Sequence, residues 1–453
     1  MTSASFKWVT LTTSLAFVVA QLDVSIINIA LPQISGAYHA HISTLQWVID
    51  AYTLAYAVLM LSAGSLSDLL DSKHIFQLGM IIFGVASAGC GFAPNASVLI
   101  ICRVIQGIGA ATMIPSSLSL LNHAFAHQPK TRTRAIGLWT AAGSAAMAAG
   151  PTIGGLLIEF INWRFIFFVN IPMCIAGYLL SFRLQPEHRT QGRKLDIAGQ
   201  LTWMLSITAL ISVIIEGPRV GFGHFLVWGG LVFSIVVFFI FLWIERRSRH
   251  PMLPLHLFKS RAFNALLILG GVLNCSYYGT VFILSLYLQN VLHYHSLKAG
   301  FAFLPLTVGF VISNVFSNKI IEKYGLRKPI LAGLIIFAIG FAGLFISGTD
   351  TPYWQLFVPF LTISIGMGLA VPAMINGILS SVDKKLSGTA SAILNTSRQT
   401  AGAIGVAVFG AMASGGGAVI ISGLIKSAVI SIGFTIVAFI LVLRVKNMEK
   451  HHA

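Results

Sequence analysis

Charge is what this chain has least of. Only 9% of its 453 residues are charged, against about a quarter in an ordinary soluble domain, so a water-facing surface cannot be built from it. Acids are the scarcest, 13 against 29 Lys and Arg. Long polar stretches are missing too. The longest, 185–195 and 245–261, are loop-sized, and neither can fold as a domain of its own. No phosphate-binding glycine loop, zinc motif or nucleophile triad is present, and no soluble domain exists to host one. That excludes an enzyme, and no cofactor or metal is expected. Cysteine is sparse: Cys90, Cys102, Cys174 and Cys275 each lie in an apolar run without a CxxC pair and read as small buried hydrophobes.

What fills the chain is hydrocarbon, 56% of its residues, in runs near the roughly 20 residues that cross a bilayer as a helix. Backbone in lipid must satisfy its own hydrogen bonds, so the fold class is an all-α polytopic membrane protein. The expected spans are 8–31, 45–66, 75–93, 98–122, 135–158, 164–183, 196–216, 224–245, 263–290, 299–318, 328–347, 353–375, 387–412 and 426–444, fourteen in all. The first is too long for a signal peptide and no small-residue cleavage site follows it, so it reads as a retained helix. The layout divides into an N-terminal six-helix bundle (1–185), two inserted spans with flanking loops (186–258) and a C-terminal six-helix bundle (259–453).

Lys and Arg set the orientation. With both termini cytoplasmic, the outer loops carry only Arg164, Arg219, Lys298 and Lys426, while Arg103 and Arg398 fall inside spans and every other basic residue lies on the inner side. The net charge of +16 is thus a topology signal, compatible with anionic lipid. It does not call for nucleic acid. The expected partners are the bilayer, protons and a small-molecule substrate. The sequence leaves the oligomeric state open, and a monomer is compatible with it.

A faint internal repeat relates the two sixes. Gly64-Ser65-Leu66-Ser67-Asp68, leading to Lys73, follows span two, and Ile320-Ile321-Glu322-Lys323-Tyr324-Gly325-Leu326-Arg327 follows span ten. Both are placed in cytoplasmic loops, at matching positions in each half. Parallel repeats with a substrate site between them are a known transporter plan. Span five carries Gly137, Ala146, Gly150, Pro151, Gly154 and Gly155. Ala146, Gly150 and Gly154 line one face, where small residues let helix backbones approach closely, and Pro151 removes a backbone donor. This stripe reads as a tight seam between the two halves; ordinary small-residue packing is the alternative.

Asp23 stands inside the first span. A carboxylate in hydrocarbon is costly and faces a partner, a cavity or an ion path. By the helical rise of 1.5 Å per residue, Asp23 lies about 22 Å above the inner end of its span, and Arg103 lies at a similar height in span four. Asp50 sits close to the outer end of span two, where it reads as interfacial and wet. The three define a charged layer and are the candidate proton-coupling residues. An arginine beside a carboxylate favours its charged form, and separating the two favours protonation. A fixed structural ion pair is the alternative for Asp23. For Arg103, tuning of that acid and structural hydrogen bonding both stay open. Candidate substrate-cavity residues are Asn28, Tyr52, Tyr56, Asn274, Tyr277, Tyr278 and Arg398, whose aromatic, amide and cationic groups suit flat amphipathic solutes. His39, His41, His293 and His295 fall in two outer loops and read as polar surface. Trp8, Trp47 and Trp354 lie at span ends as interfacial anchors.

Four stretches resemble one family: Leu22-Asp23 with Asn28 and Leu31-Pro32; Arg103-Val104-Ile105-Gln106-Gly107-Ile108-Gly109; Gly137 with Gly150-Pro151 and Gly154-Gly155; and Trp163-Arg164 with Phe168 and Asn170-Ile171-Pro172. Arg398-Gln399 with Gly402 and Gly405 adds a fifth. Over essentially its whole length the chain resembles the drug:proton antiporters of the major facilitator superfamily, in the fourteen-span branch. The resemblance implies two six-helix bundles plus two inserted helices and proton-driven export of amphipathic molecules; the short loops and tails point to a bacterial inner membrane. The resemblance also implies a gating latch after span two, which makes Asp68 and Lys73, and in the echo after span ten Glu322, Gly325 and Arg327, the candidate gating residues. That latch departs from the family pattern Gly-x-Leu-x-Asp-Arg-x-Gly-Arg-Lys: Leu69, Asp71 and Ser72 replace its arginine, glycine and first basic residue. Ala146 stands where glycine is usual. Two rival readings remain: a dedicated exporter of one metabolite, such as a siderophore or lipid-like compound, and a non-transporting sensor or scaffold.

Overall fold

The computed structural model describes residues 3–69, 71–184, 196–248, 251–383 and 386–445, apart from the side chains of 3–5, 61–69, 129, 133 and 387. Among these residues the chain is helical throughout, with no strand. The helices are α1 (Ser3–Tyr38), α2 (Ile42–Leu69), α3 (Ser72–Gly91), α4 (Ala96–Ala124), α5 (Pro129–Phe160), α6 (Phe165–Phe168), α7 (Asn170–Ser181), α8 (Ile197–Val220) and α9 (Phe225–Arg247). They continue as α10 (Arg261–Leu286), α11 (Ser296–Ala302), α12 (Leu304–Tyr324), α13 (Arg327–Gly343), α14 (Tyr353–Ser380), α15 (Ser387–Met412) and α16 (Gly417–Arg444). Among the described residues eleven helices are long and apolar enough to cross a membrane, and Phe165–Ser181 is a shorter apolar helix.

The elements fall where the side chains direct. Asp71, Asn95 and Ser260 cap α3, α4 and α10 by accepting from backbone N–H groups two or three residues on, at 3.0, 2.9 and 3.3 Å, each satisfying an orphan donor of the first turn. Asp71 therefore has a structural use where the family latch has glycine. Two expected spans are broken. Pro172 cannot donate to the carbonyl of Phe168, and the chain divides into α6 and α7 there; Pro305 likewise divides α11 from α12. Gly325, at φ +76°, ends α12 in a backbone conformation that favours glycine.

The chain forms two compact units. The first comprises 1–40, 47–208 and 234–252, the second 41–46, 209–233 and 253–453, so α8 and α9 each contribute to both. In the first unit α1 packs on α5, and α3 packs on α4 and α7. In the second, α10 packs on α15 and α16, and α14 packs on α12 and α13. Ser206 and Ser234 tie α8 to α9 by reciprocal hydroxyl-to-carbonyl bonds of 3.0 and 2.9 Å. Their outer faces stay apolar, with Phe225, Trp228, Phe239 and Trp243 exposed, as hydrocarbon contact requires.

Several expectations need correction. The repeat that was placed in loops is largely helical: residues 64–69 are the end of α2, and Ile320–Tyr324 ends α12, because both helices run on past the apolar core. Lys426 lies nine residues inside α16, not in a loop, since the glycine-rich turn ends at Gly416. Arg219 belongs to the last turn of α8 and pairs with Glu216 at 2.7 Å. The small-residue stripe of α5 packs inside the first unit, on α1. A Cβ on Gly150 would stand 1.8 Å from Ser25 Oγ and 3.0 Å from the Ile26 nitrogen, and one on Gly154 would stand 2.9 Å from Ile26 Cγ1. Gly155 is buried, Ala146 and Pro151 lie within the same unbroken helix, and Gly137 faces open space.

The side chain of Asp68 and the loop 185–195 fall outside the described residues. Lys73 does not: its Nζ donates to the carbonyls of Phe182 and Leu184, at 3.3 and 2.8 Å, at the end of α7. Arg327 does the same for α16, donating to the Leu443 carbonyl at 2.7 Å, while Glu322 is exposed. Cations at helix C-termini complement the carbonyls left unpaired there. Lys73→Met should lower stability by at most about 1 kcal/mol, read as a small drop in the thermal transition of the detergent-purified protein.

Candidate functional site

The first unit encloses one buried charge cluster. α1 supplies Asp23, α4 supplies Arg103 and Gln106, and α7 supplies Asn170, all fully buried. Arg103 Nη1 donates to Asp23 Oδ2 in a short direct pair and also to Gln106 Oε1 at 2.8 Å. Gln106 Nε2 and Asn170 Nδ2 donate to Asp23 Oδ1 at 3.0 and 2.9 Å. The carboxylate thus accepts from one guanidinium and two amides. Buried charge needs such partners, since an unpaired carboxylate in the interior is costly.

Second partners fix the donors. Arg103 Nε donates to the Val48 carbonyl of α2 at 2.9 Å, and its guanidinium lies 4.4 Å over the Tyr52 ring. Gln106 Nε2 also reaches Ser87 Oγ at 2.7 Å, and Cys90 Sγ donates to Gln106 Oε1 at 3.4 Å. Two atoms stay buried without partners, Arg103 Nη2 and Asn170 Oδ1. Close packing makes this possible: a Cβ on Gly107 would stand 2.5 Å from the Tyr52 carbonyl.

Asp50 is separate. Helix α2 starts at Ile42, so Asp50 lies about 12 Å along the helix by its rise. It is fully buried rather than wet, and neither carboxyl oxygen has a partner. Of the expected cavity residues, Tyr52 belongs to the charge cluster, packed between Arg103 and Phe83. Tyr56 lies 6.2 Å from it, ring to ring. Asn28 closes on its own helix at the Val24 carbonyl, 3.2 Å away. The others stand in the second unit. Asn274 donates to the Gly270 carbonyl at 2.9 Å, Tyr277 and Tyr278 meet edge to face at 5.5 Å, and the Arg398 stem packs at Gly270. His39 and His293 take φ of 49° and 53° in the turns after α1 and α10. Among the described residues no three His, Cys, Asp or Glu side chains could share a metal ion.

Residues 13–406 match the Major Facilitator Superfamily. The chain belongs to that family. Among its relatives this superfamily member is 34% identical over 410 residues to the methylenomycin A resistance protein of Bacillus subtilis, covering 90% of this chain and 88% of that one. It is 32% identical over 401 residues to the multidrug resistance protein Stp of Mycobacterium tuberculosis, covering 88% and 74%. To the puromycin resistance protein pur8 of Streptomyces alboniger it is 33% identical over 403 residues, covering 87% and 79%. A crystal structure of the nucleoside transporter NupG shares the fold, with a TM-score of 0.67 at 11% identity, over 97% of this chain and 99% of that one. This superfamily member is therefore a multi-pass membrane transporter, not an enzyme, and its relatives are named for drug resistance and efflux.

Gln106, Asn170 and Ser87 were not among the expected site residues. Gln106 stands three residues after Arg103 and hence on the same helix face, and Asn170 is an amide in an apolar run; both signals were present in the sequence. Nothing marks Ser87 among many membrane-helix serines.

Proposed function

We propose that this transporter is a proton-coupled antiporter that exports amphipathic small molecules, drugs or related compounds, across a bacterial cytoplasmic membrane. The reading takes fourteen spans, two six-helix bundles plus the inserted pair α8 and α9, with both termini cytoplasmic and access alternating between the bundles. The observation that carries it is the buried Asp23 carboxylate, matched by one cation and two amides. Such a site has two charge states of very different internal cost, and a proton decides between them. The names of the relatives support efflux of drugs. Some are named for a single compound, which favours a narrow-range exporter as the second reading. The candidate cavity residues, with Arg398 as an intramembrane cation, suit neutral, zwitterionic or monovalent amphiphiles.

Purified protein in liposomes under an imposed pH gradient tests the proposal. Proton flux triggered by an amphiphilic drug is expected in wild type and should fall at least tenfold in Asp23→Asn. Equal flux in both would move the proton from Asp23. No flux with any of a panel of unrelated drugs would refute broad export.

A further inference from the structure

Helices α3 and α4 of the first unit pack backbone to backbone. A Cβ on Gly79 would stand 2.7 Å from the Met113 nitrogen, and one on Gly109 would stand 2.8 Å from the Phe83 nitrogen. Near the turn that joins the two helices, Gly89 gives the same closeness to a cysteine. Its Cβ would stand 2.8 Å from Cys102 Sγ and 3.7 Å from Cys102 Cβ. The next residue on α3 is Cys90. The Cys90 and Cys102 thiols are hydrogen-bonded to each other, and both cysteines are free. Helices this close lie within the span of a disulfide, which joins Cα atoms about 4.4–6.8 Å apart.

The two thiols differ in access and in what they touch. Cys102 is half-buried on α4, beside the exposed Ile101 and Ile105, so a small neutral solute reaches it from outside the bundle. Cys90 is fully buried, and its Sγ donates to Gln106 Oε1 at 3.4 Å. That same amide donates to Asp23 Oδ1 at 3.0 Å. One thiol is therefore accessible and the other touches the charge cluster. The remaining cysteines are placed differently: Cys174 on α7 is buried against Gly84, and Cys275 is buried in the second unit.

We propose that Cys90 and Cys102 are a modification site, which a peroxide oxidises to a disulfide that straps α3 to α4 and takes from Gln106 the thiol that donates to it. The Cys102 sulfur attacks one oxygen of hydrogen peroxide, the O–O bond breaks, and Cys102 sulfenic acid and one water result. The Cys90 sulfur then attacks the Cys102 sulfur. The S–S bond forms, the S–O bond breaks, and the hydroxyl leaves with the Cys90 proton as a second water. The two thiols lose two electrons and the peroxide gains them. A disulfide sulfur carries no hydrogen, so Gln106 Oε1 loses the Cys90 bond and keeps the one from Arg103. The effect on export rests on the proton-coupled reading above; closure of the disulfide is measured without transport.

Purified protein in liposomes is treated with hydrogen peroxide, then unfolded and alkylated with a maleimide without reductant, and the alkylated cysteines are located by mass spectrometry. Wild type should lose alkylation at Cys90 and Cys102 together, keep it at Cys174 and Cys275, and regain the lost pair after dithiothreitol. In Cys102→Ala, Cys90 should stay alkylated. Alkylation of Cys90 and Cys102 undiminished by peroxide overturns the site. Loss that dithiothreitol does not reverse means sulfinic or sulfonic acid in place of a disulfide, and overturns it as well. Loss at Cys90 in Cys102→Ala overturns the pairing. Under a pH gradient, drug-triggered proton flux should fall severalfold on oxidation and return on reduction, while Cys102→Ala keeps its flux in peroxide. Flux unchanged in protein whose disulfide has closed overturns the link to Gln106. A closed disulfide in protein that shows no flux with any drug when reduced would instead refute antiport and leave the site standing.

Discussion

Arg103→Leu should be among the most damaging single substitutions in the first unit. It removes the cation paired with Asp23 and leaves a buried carboxylate with two amide donors. Breaking a buried ion pair from one side costs about 3–5 kcal/mol, mostly the penalty of the charge left behind. The variant should show a much lower thermal transition in detergent and no drug-driven proton flux in liposomes. Arg103→Leu combined with Asp23→Asn removes both charges and should recover much of the thermal transition, yet no flux. Recovery of stability without function separates the structural from the transport use of the pair. If Arg103→Leu melts with wild type, the pair adds nothing to the fold.

The second large effect belongs to Gly150. Its added Cβ would meet Ser25 Oγ, which can rotate, but also Ser25 Cβ at 2.8 Å and the Ile26 nitrogen at 3.0 Å, which cannot. Helices α1 and α5 must therefore part, and overpacking of this kind costs about 1–3 kcal/mol. Asp23 lies two residues before Ser25 on α1, so the displacement should also disturb the charge cluster. Gly150→Ala is expected to lower both the thermal transition and transport, and Ser25→Gly in the same chain should restore part of each. A double-mutant cycle reads the coupling directly, and strict additivity would mean that the two residues do not meet.

The sequence showed most about depth and least about partners. Asp23 and Arg103 are 80 residues apart in sequence, yet counting helical rise from the span ends set them at one height, and the structure joins them. The same ruler misjudged Asp50, because distance along a span does not say what packs around a residue, and the fold buries Asp50 completely. The small-residue stripe of α5 was legible as a close-packing face, but a face does not name its neighbour; α1 supplies it. Gln106 and Asn170 escaped for a related reason. An amide is tolerable almost anywhere along a membrane helix, and only its tertiary position reveals that it points at a carboxylate. Breaks at Pro172 and Pro305 could be read from the missing N–H alone, whereas the caps at Asp71 and Asn95 needed the helix starts first.

The unpartnered Oδ1 of Asn170 has its own consequence. Asparagine has a donating end and an accepting end, nearly equal in shape, and here the donating end faces Asp23 while the accepting end has nothing to accept. An ionised Asp23 suits that orientation; a protonated Asp23 suits its reverse. A half-turn of one amide therefore exchanges a site that welcomes a negative charge for one that welcomes a hydroxyl, with no change in volume and no movement of backbone.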